Sequence, residues 1–125
     1  MPIEILIVDD APNIVLSLEF LMKKEGFSVR SVGDGDAALQ AVEEKKPDLV
    51  LLDVMIPKKN GYEVCEAIRA DSRYQGVRII MLTAKGREVE QEKGLALGAD
   101  DYVTKPFATR ELVLKVREML GLKNN

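Results

Sequence analysis

Residues 48–57 read DLVLLDVMIP. Leu49 to Leu52 form an unbroken apolar run that closes on one aspartate, Asp53. A strand with one wet face alternates apolar and polar residues, whereas a continuous run bounded by charges suits a strand covered on both faces. Strands covered on both faces belong to parallel sheets with helices above and below. This stretch therefore decides the fold class, and it leaves a carboxylate where the buried strand ends.

The same pattern recurs on either side. IEILIV (3–8) and VRIIML (77–82) are also nearly continuously apolar, while FSVRSV (27–32) and DYV (101–103) are shorter or more mixed strands. Helical stripes fill the intervals. Ile14, Leu18, Leu21 and Met22 mark a helix over 13–25, and Ala38, Leu39 and Val42 one over 35–45. Val64, Ala67 and Ile68 mark 61–70, and Leu112, Val116 and Met119 mark 109–120. The segment 87–97 has a thin apolar stripe and an internal glycine, Gly94, so a marginal, mobile helix is expected there. Strand and helix thus alternate five times. That order predicts a doubly wound α/β sandwich, a five-stranded parallel sheet with helices on both faces. No internal repeat, low-complexity tract or linker divides residues 1–125, which read as a single domain.

Composition narrows the function. The chain has 125 residues, 46% hydrophobic and 31% charged, with a net charge of −3. It carries no basic stripe for nucleic acid. No signal peptide is visible, and no apolar run reaches the about 18 residues of a membrane span. A lone cysteine, Cys65, fits a reducing compartment, so a cytoplasmic protein is expected. There is no histidine, which removes a Ser-His-Asp triad, His-ligated metals and any phosphohistidine of the chain's own.

In doubly wound folds, ligands sit outside the carboxyl ends of the strands, where strand order reverses. The first strand ends at Asp9 and Asp10, the third at Asp53 and the fourth at Thr83, and the fifth leads into Lys105. Three carboxylates on one rim repel each other unless a cation joins them. Oxygen-only ligands select a hard ion, and few carboxylates with room for water suit Mg2+ better than Ca2+. An ion held in this way commonly meets a phosphoryl group, to which Thr83 offers a hydroxyl and Lys105 a positive charge. A carboxylate can be the nucleophile by forming an aspartyl phosphate. Asp53, alone on the central strand, takes that role, and Asp9 and Asp10 hold the metal.

Four motifs make the sequence recognisable: ILIVDD (5–10), LVLLDVMIPKKNGYEV (49–64), IIMLTAK (79–85) and GADDYVTKPF (98–107). Together they resemble the CheY-like receiver domain of two-component response regulators over essentially the whole chain. The resemblance implies that Asp53 is the phosphoacceptor, supplied by a sensor histidine kinase or a histidine phosphotransfer protein. It implies Mg2+, with Mn2+ as a substitute, on Asp10, Asp53 and the backbone carbonyl of Met55, with Asp9 acting through water. Lys105 would pair with the acceptor at rest and with the phosphoryl group afterwards, and the bond from Lys105 to Pro106 would be cis. Thr83 would move to the phosphoryl oxygen and Tyr102 would turn inward after it. That switch reshapes the face of the fourth helix, fifth strand and fifth helix for an effector or output domain. Such a domain is a phosphorylated signalling protein, catalysing only its own phosphoryl transfer and slow dephosphorylation.

Two features are particular to this chain. Leu16 and Phe20 lie roughly opposite the first helix's apolar stripe, so they face outward as a candidate docking patch for the phosphodonor. Many DNA-binding members dimerise through ion pairs of the fourth helix with the fifth strand and helix. Asp100, Asp101, Glu111 and Lys115 would supply one side, but Gln91 and Ala96 stand where the basic and acidic partners are expected. The expected state is therefore a monomer or a phosphorylation-dependent dimer. The chain ends at LGLKNN with no output domain, which fits a single-domain regulator or the N-terminal receiver of a DNA-binding transcriptional regulator.

Rival readings fit less well. A flavodoxin-like flavin binder needs a hydroxyl- or glycine-rich phosphate loop after the first strand, where DDAPN would repel the ligand. A haloacid-dehalogenase-type phosphatase pairs its nucleophile with an acid/base two residues on, and here that position is Met55. A receiver fold acting only as an interaction module has no use for the intact acidic pair, threonine and lysine.

Overall fold

The computed structural model describes residues 2–84 and 88–122. Its strands are β1 (Glu4–Val8), β2 (Ser28–Val32), β3 (Leu49–Asp53), β4 (Arg78–Ala84) and β5 (Asp101–Lys105). The helices between and after them are α1 (Pro12–Lys24), α2 (Gly35–Glu44), α3 (Gly61–Ala70), α4 (Glu88–Ala96) and α5 (Thr109–Met119). A single 3-10 turn, Ser72–Tyr74, follows α3 and lies outside the sequence expectations. Position 87, the expected first residue of the fourth helix, and the last three residues of LGLKNN are outside the described residues.

All strands pair in parallel in the order β2-β1-β3-β4-β5. The chain first steps from β1 to one side and then returns to place β3 on the other. The order therefore reverses beside β1, and a crevice opens above the carboxyl ends of β1 and β3. Every residue of β1 and β3 is buried, as their continuous apolar runs require. Edge strand β2 is partly exposed throughout.

Strand parity divides the core. Leu6, Val8, Val50, Leu52, Ile79 and Met81 pack with Ala38 and Val42 of α2 and Val64 and Ile68 of α3. Their neighbours Ile5, Ile7, Leu49, Leu51, Ile80 and Leu82 pack with Leu18 and Met22 of α1 and Leu112 and Val116 of α5. Each of the Val, Leu, Ile and Met side chains contributes roughly 1.5–3 kcal/mol on burial, so the strands hold the rim from both sides. Buried Glu4 is the polar exception in β1. It accepts from Arg30 Nε at 2.7 Å and pairs with Lys45 Nζ at 3.1 Å.

Helix starts are fixed locally. Asp34 caps α2 by accepting from the Ala37 amide at 2.7 Å. Asn60 and Glu63 form a reciprocal capping box on α3 at 3.0 and 3.1 Å. The fourth helix forms as expected, with Gly94 as its only buried residue. A β-carbon at Gly94 would lie 3.3 Å from Met81 Cγ, so this glycine lets α4 approach β4 closely. None of the helices in the described residues is long and apolar enough to cross a membrane.

Candidate functional site

The crevice gathers the carboxylates expected there. Asp9, directly after β1, is 2% exposed, and its Oδ1 accepts from the Ala11 amide at 3.0 Å. Asp53, the last residue of β3, is 8% exposed, and its Oδ1 accepts from the Met55 amide at 3.2 Å. Asp10 lies beside them, open to solvent. One carboxylate oxygen from each of Asp9, Asp10 and Asp53 lies within 4.8 Å of the others. An all-oxygen set at this spacing fits a hard divalent cation such as Mg2+.

Gly61 shapes the loop behind Asp53. Its amide donates to the Val54 carbonyl at 2.9 Å. A β-carbon there would stand 2.5 Å from the Asp53 carbonyl oxygen. The start of α3 can therefore lie directly against the backbone of Asp53. Between them Lys58 adopts φ 69°, a left-handed conformation in which a side chain is strained.

Lys105 reaches the crevice from the end of β5, and the bond from Lys105 to Pro106 is cis. Its ammonium donates to Asp9 Oδ2 at 2.7 Å and pairs with Asp53 Oδ2 at 3.3 Å. The resemblance implied a resting pair with the acceptor, and the shorter contact is with Asp9. Burial opposes the Lys105 charge, but its hydrogen bond to Asp9 and the charge of Asp53 outweigh it and raise its pKa. Burial also raises the pKa of Asp53, opposed by the Lys105 charge and aided by the Asp9 charge.

Thr83 is 2% exposed near the end of β4, where it pairs in register with Thr104. Tyr102 is half-buried against the α2–α3 side of the core. Lys115 sits 5.6 Å from the Tyr102 ring centre, donates to the Tyr102 carbonyl at 3.1 Å and pairs with Asp101 at 3.5 Å. Asp100, expected on the dimer face, is used within the chain. Its Oδ2 lies 2.8 Å from Arg69 Nη2 and accepts from the Ile79 amide at 2.8 Å. Leu16 and Phe20 are 67% and 68% exposed, as their helix phase required, and Met55 is also exposed.

Sequence reasoning treated Gln91 only as a missing dimer partner. In the structure its Nε2 donates to Thr83 Oγ1 at 3.5 Å. The two residues are eight apart and meet only because α4 folds back over β4, so no local pattern announced the contact.

A doubly wound sheet with three carboxylates, a threonine and a lysine at its switch point defines a class of phosphoryl-handling α/β proteins. The chain belongs to the response regulator receiver domain family, whose model matches residues 5–117. It is thus a two-component signalling domain. It is 53% identical over 116 residues to the DNA-binding response regulator MtrA of Mycolicibacterium smegmatis, covering 93% of this chain and 50% of that protein. The chain therefore spans about half the length of that relative. A crystal structure of a response regulator from Chloroflexus aurantiacus superposes with a TM-score of 0.94 at 36% identity, covering 97% of this chain and 99% of the other. The receiver domain of a Pseudomonas aeruginosa sensor histidine kinase, solved with a magnesium ion coordinated in its active-site cleft, gives 0.88 at 33% identity over 97% and 99%.

Proposed function

We propose that Asp53 accepts a phosphoryl group from a phosphohistidine on a sensor kinase or phosphotransfer protein. The observation that carries this reading is the meeting of three carboxylates within 4.8 Å, with Lys105 on two of them and buried Thr83 on the adjoining strand. Asp10, Asp53 and the Met55 carbonyl would hold Mg2+, with Asp9 acting through water, and Mn2+ would substitute. When bound, Mg2+ supplies charge neutralisation for the carboxylates and the incoming phosphoryl oxygens.

An ionised Asp53 oxygen attacks phosphorus, the phosphorus–nitrogen bond breaks, and its electron pair returns to the imidazole. Phosphoryl transfer depends on alignment and charge neutralisation more than on covalent help. Lys105 steadies the Asp53 carboxylate and then pairs with a phosphoryl oxygen, and the Thr83 hydroxyl donates to another. Tyr102 follows Thr83, and the face of α4, β5 and α5 changes for an effector. Slow hydrolysis of the aspartyl phosphate resets the domain. Such chemistry belongs in the cytoplasm, where kinase phosphohistidines are made.

The likeness to a DNA-binding regulator of twice this length favours a second reading, in which the domain controls a DNA-binding output segment. In either case the exposed Leu16 and Phe20, beside the crevice, form the docking patch for the phosphodonor. The test compares two donors, a phosphorylated kinase domain and acetyl phosphate. Wild type should accept from both, whereas Leu16→Glu and Phe20→Glu should slow only the protein donor. Equal slowing with both donors sinks the docking patch, and no transfer from any phosphohistidine sinks the function.

A further inference from the structure

We infer that Gln91 is a positioning residue that holds the Thr83 hydroxyl toward α4 and thereby sets how readily the acceptor site takes up a phosphoryl group. The inference rests on the reading of Asp53 as acceptor and of Thr83 as donor to a phosphoryl oxygen.

Little apolar packing holds α4. Gly94 is the only buried residue of the helix, and Val89 and Leu95 are exposed. Polar ties therefore fix where the helix rests. Tyr62 Oη donates to the Glu90 carbonyl at 3.3 Å, and Lys93 Nζ lies 4.6 Å from the Tyr62 ring centre. A further tie is Gln91 Nε2 to Thr83 Oγ1 at 3.5 Å, with Gln91 partly buried and Thr83 almost wholly so.

That contact already lies at the outer limit of hydrogen bonding. A movement of Oγ1 away from Gln91 toward a phosphoryl group on Asp53 would carry it past that limit. Thr83 then exchanges the Gln91 amide for a phosphoryl oxygen, and α4 loses this contact with the end of β4. Gln91 accordingly opposes phosphoryl binding and couples it to release of the helix. Because Gln91 acts only through Thr83, it leaves the three carboxylates and their cation unaffected.

Gln91→Met keeps the side-chain length and removes the donor. The measurement is a titration with beryllofluoride, a phosphoryl mimic, at saturating Mg2+, read by fluorine NMR. The variant should bind about twofold more tightly than wild type, in line with the low end of one net hydrogen bond. Its Mg2+ affinity should be unchanged, and Gln91→Met should have no effect in a Thr83→Ala background. Equal or weaker binding by Gln91→Met overturns the inference, as does an equal gain in the Thr83→Ala background or an accompanying change in Mg2+ affinity. If folded wild type takes up no beryllofluoride, the acceptor reading itself fails. If wild type binds and Gln91→Met is indistinguishable from it, only the role of Gln91 fails.

Discussion

At Asp53 two requirements oppose each other. As the proposed acceptor, Asp53 must be ionised to attack phosphorus, yet burial raises its pKa, and the Lys105 charge only partly offsets this. The unfolded chain then releases this proton at a lower pH than the native one. Stability therefore falls as pH climbs from the usual value of 3.8 through the raised native value, and the loss persists at neutral pH. Asp53→Asn removes that cost. In EDTA at pH 7 the variant should unfold at a higher urea midpoint than wild type, and the advantage should vanish below pH 3.8. Equal midpoints at pH 7 would show that Asp53 is not held against its charge. The carboxylates were legible in the sequence because each ends an apolar run. The preference of Lys105 for Asp9 over Asp53 was not, since it depends on distances of 2.7 and 3.3 Å set by loop geometry.

Among the elements, α3 and α4 meet the site in opposite ways. The start of α3 lies directly against the Asp53 backbone, with no room for a side chain at Gly61. Gly61→Ala should destabilise the domain by about 1–3 kcal/mol, the range for overpacking, as read from urea unfolding. A change near zero would mean that the loop yields freely. By contrast, α4 buries only a glycine. Its amides should exchange with deuterium faster than those of α3, which buries Val64, Cys65 and Ile68. Equal protection would remove α4 as the easily displaced element. The sequence revealed β1, β3 and β4 by their continuous apolar runs. It concealed the last two residues of β5, because Thr104 and Lys105 look like loop yet pair with Thr83 and Ala84. Gly94 looked like a helix weakener, and its close approach to Met81 emerged only from tertiary packing.

For the molecule as a whole, the sheet is packed on both faces and its carboxyl end gathers three carboxylates within 4.8 Å of one another. Binding of a cation there should stabilise the entire fold by mass action. Mg2+ at about 100 times its Kd should add about 2.7 kcal/mol to unfolding. EDTA or Asp10→Ala should abolish the gain, and a gain that survives Asp10→Ala would place the ion elsewhere. The strand–helix alternation made the fold class readable from the sequence, and the reversal of strand order beside β1 explains why scattered motifs converge. The central claim is that Asp53 is the acceptor. Its most direct test is intact-mass spectrometry after incubation with acetyl phosphate, with Mg2+ or with EDTA, on wild type and Asp53→Ala. A single adduct of about 80 Da, the mass of one phosphoryl group, should form on wild type with Mg2+ and not with EDTA or in the variant. An adduct of the same mass on Asp53→Ala, or none on wild type, would contradict the account.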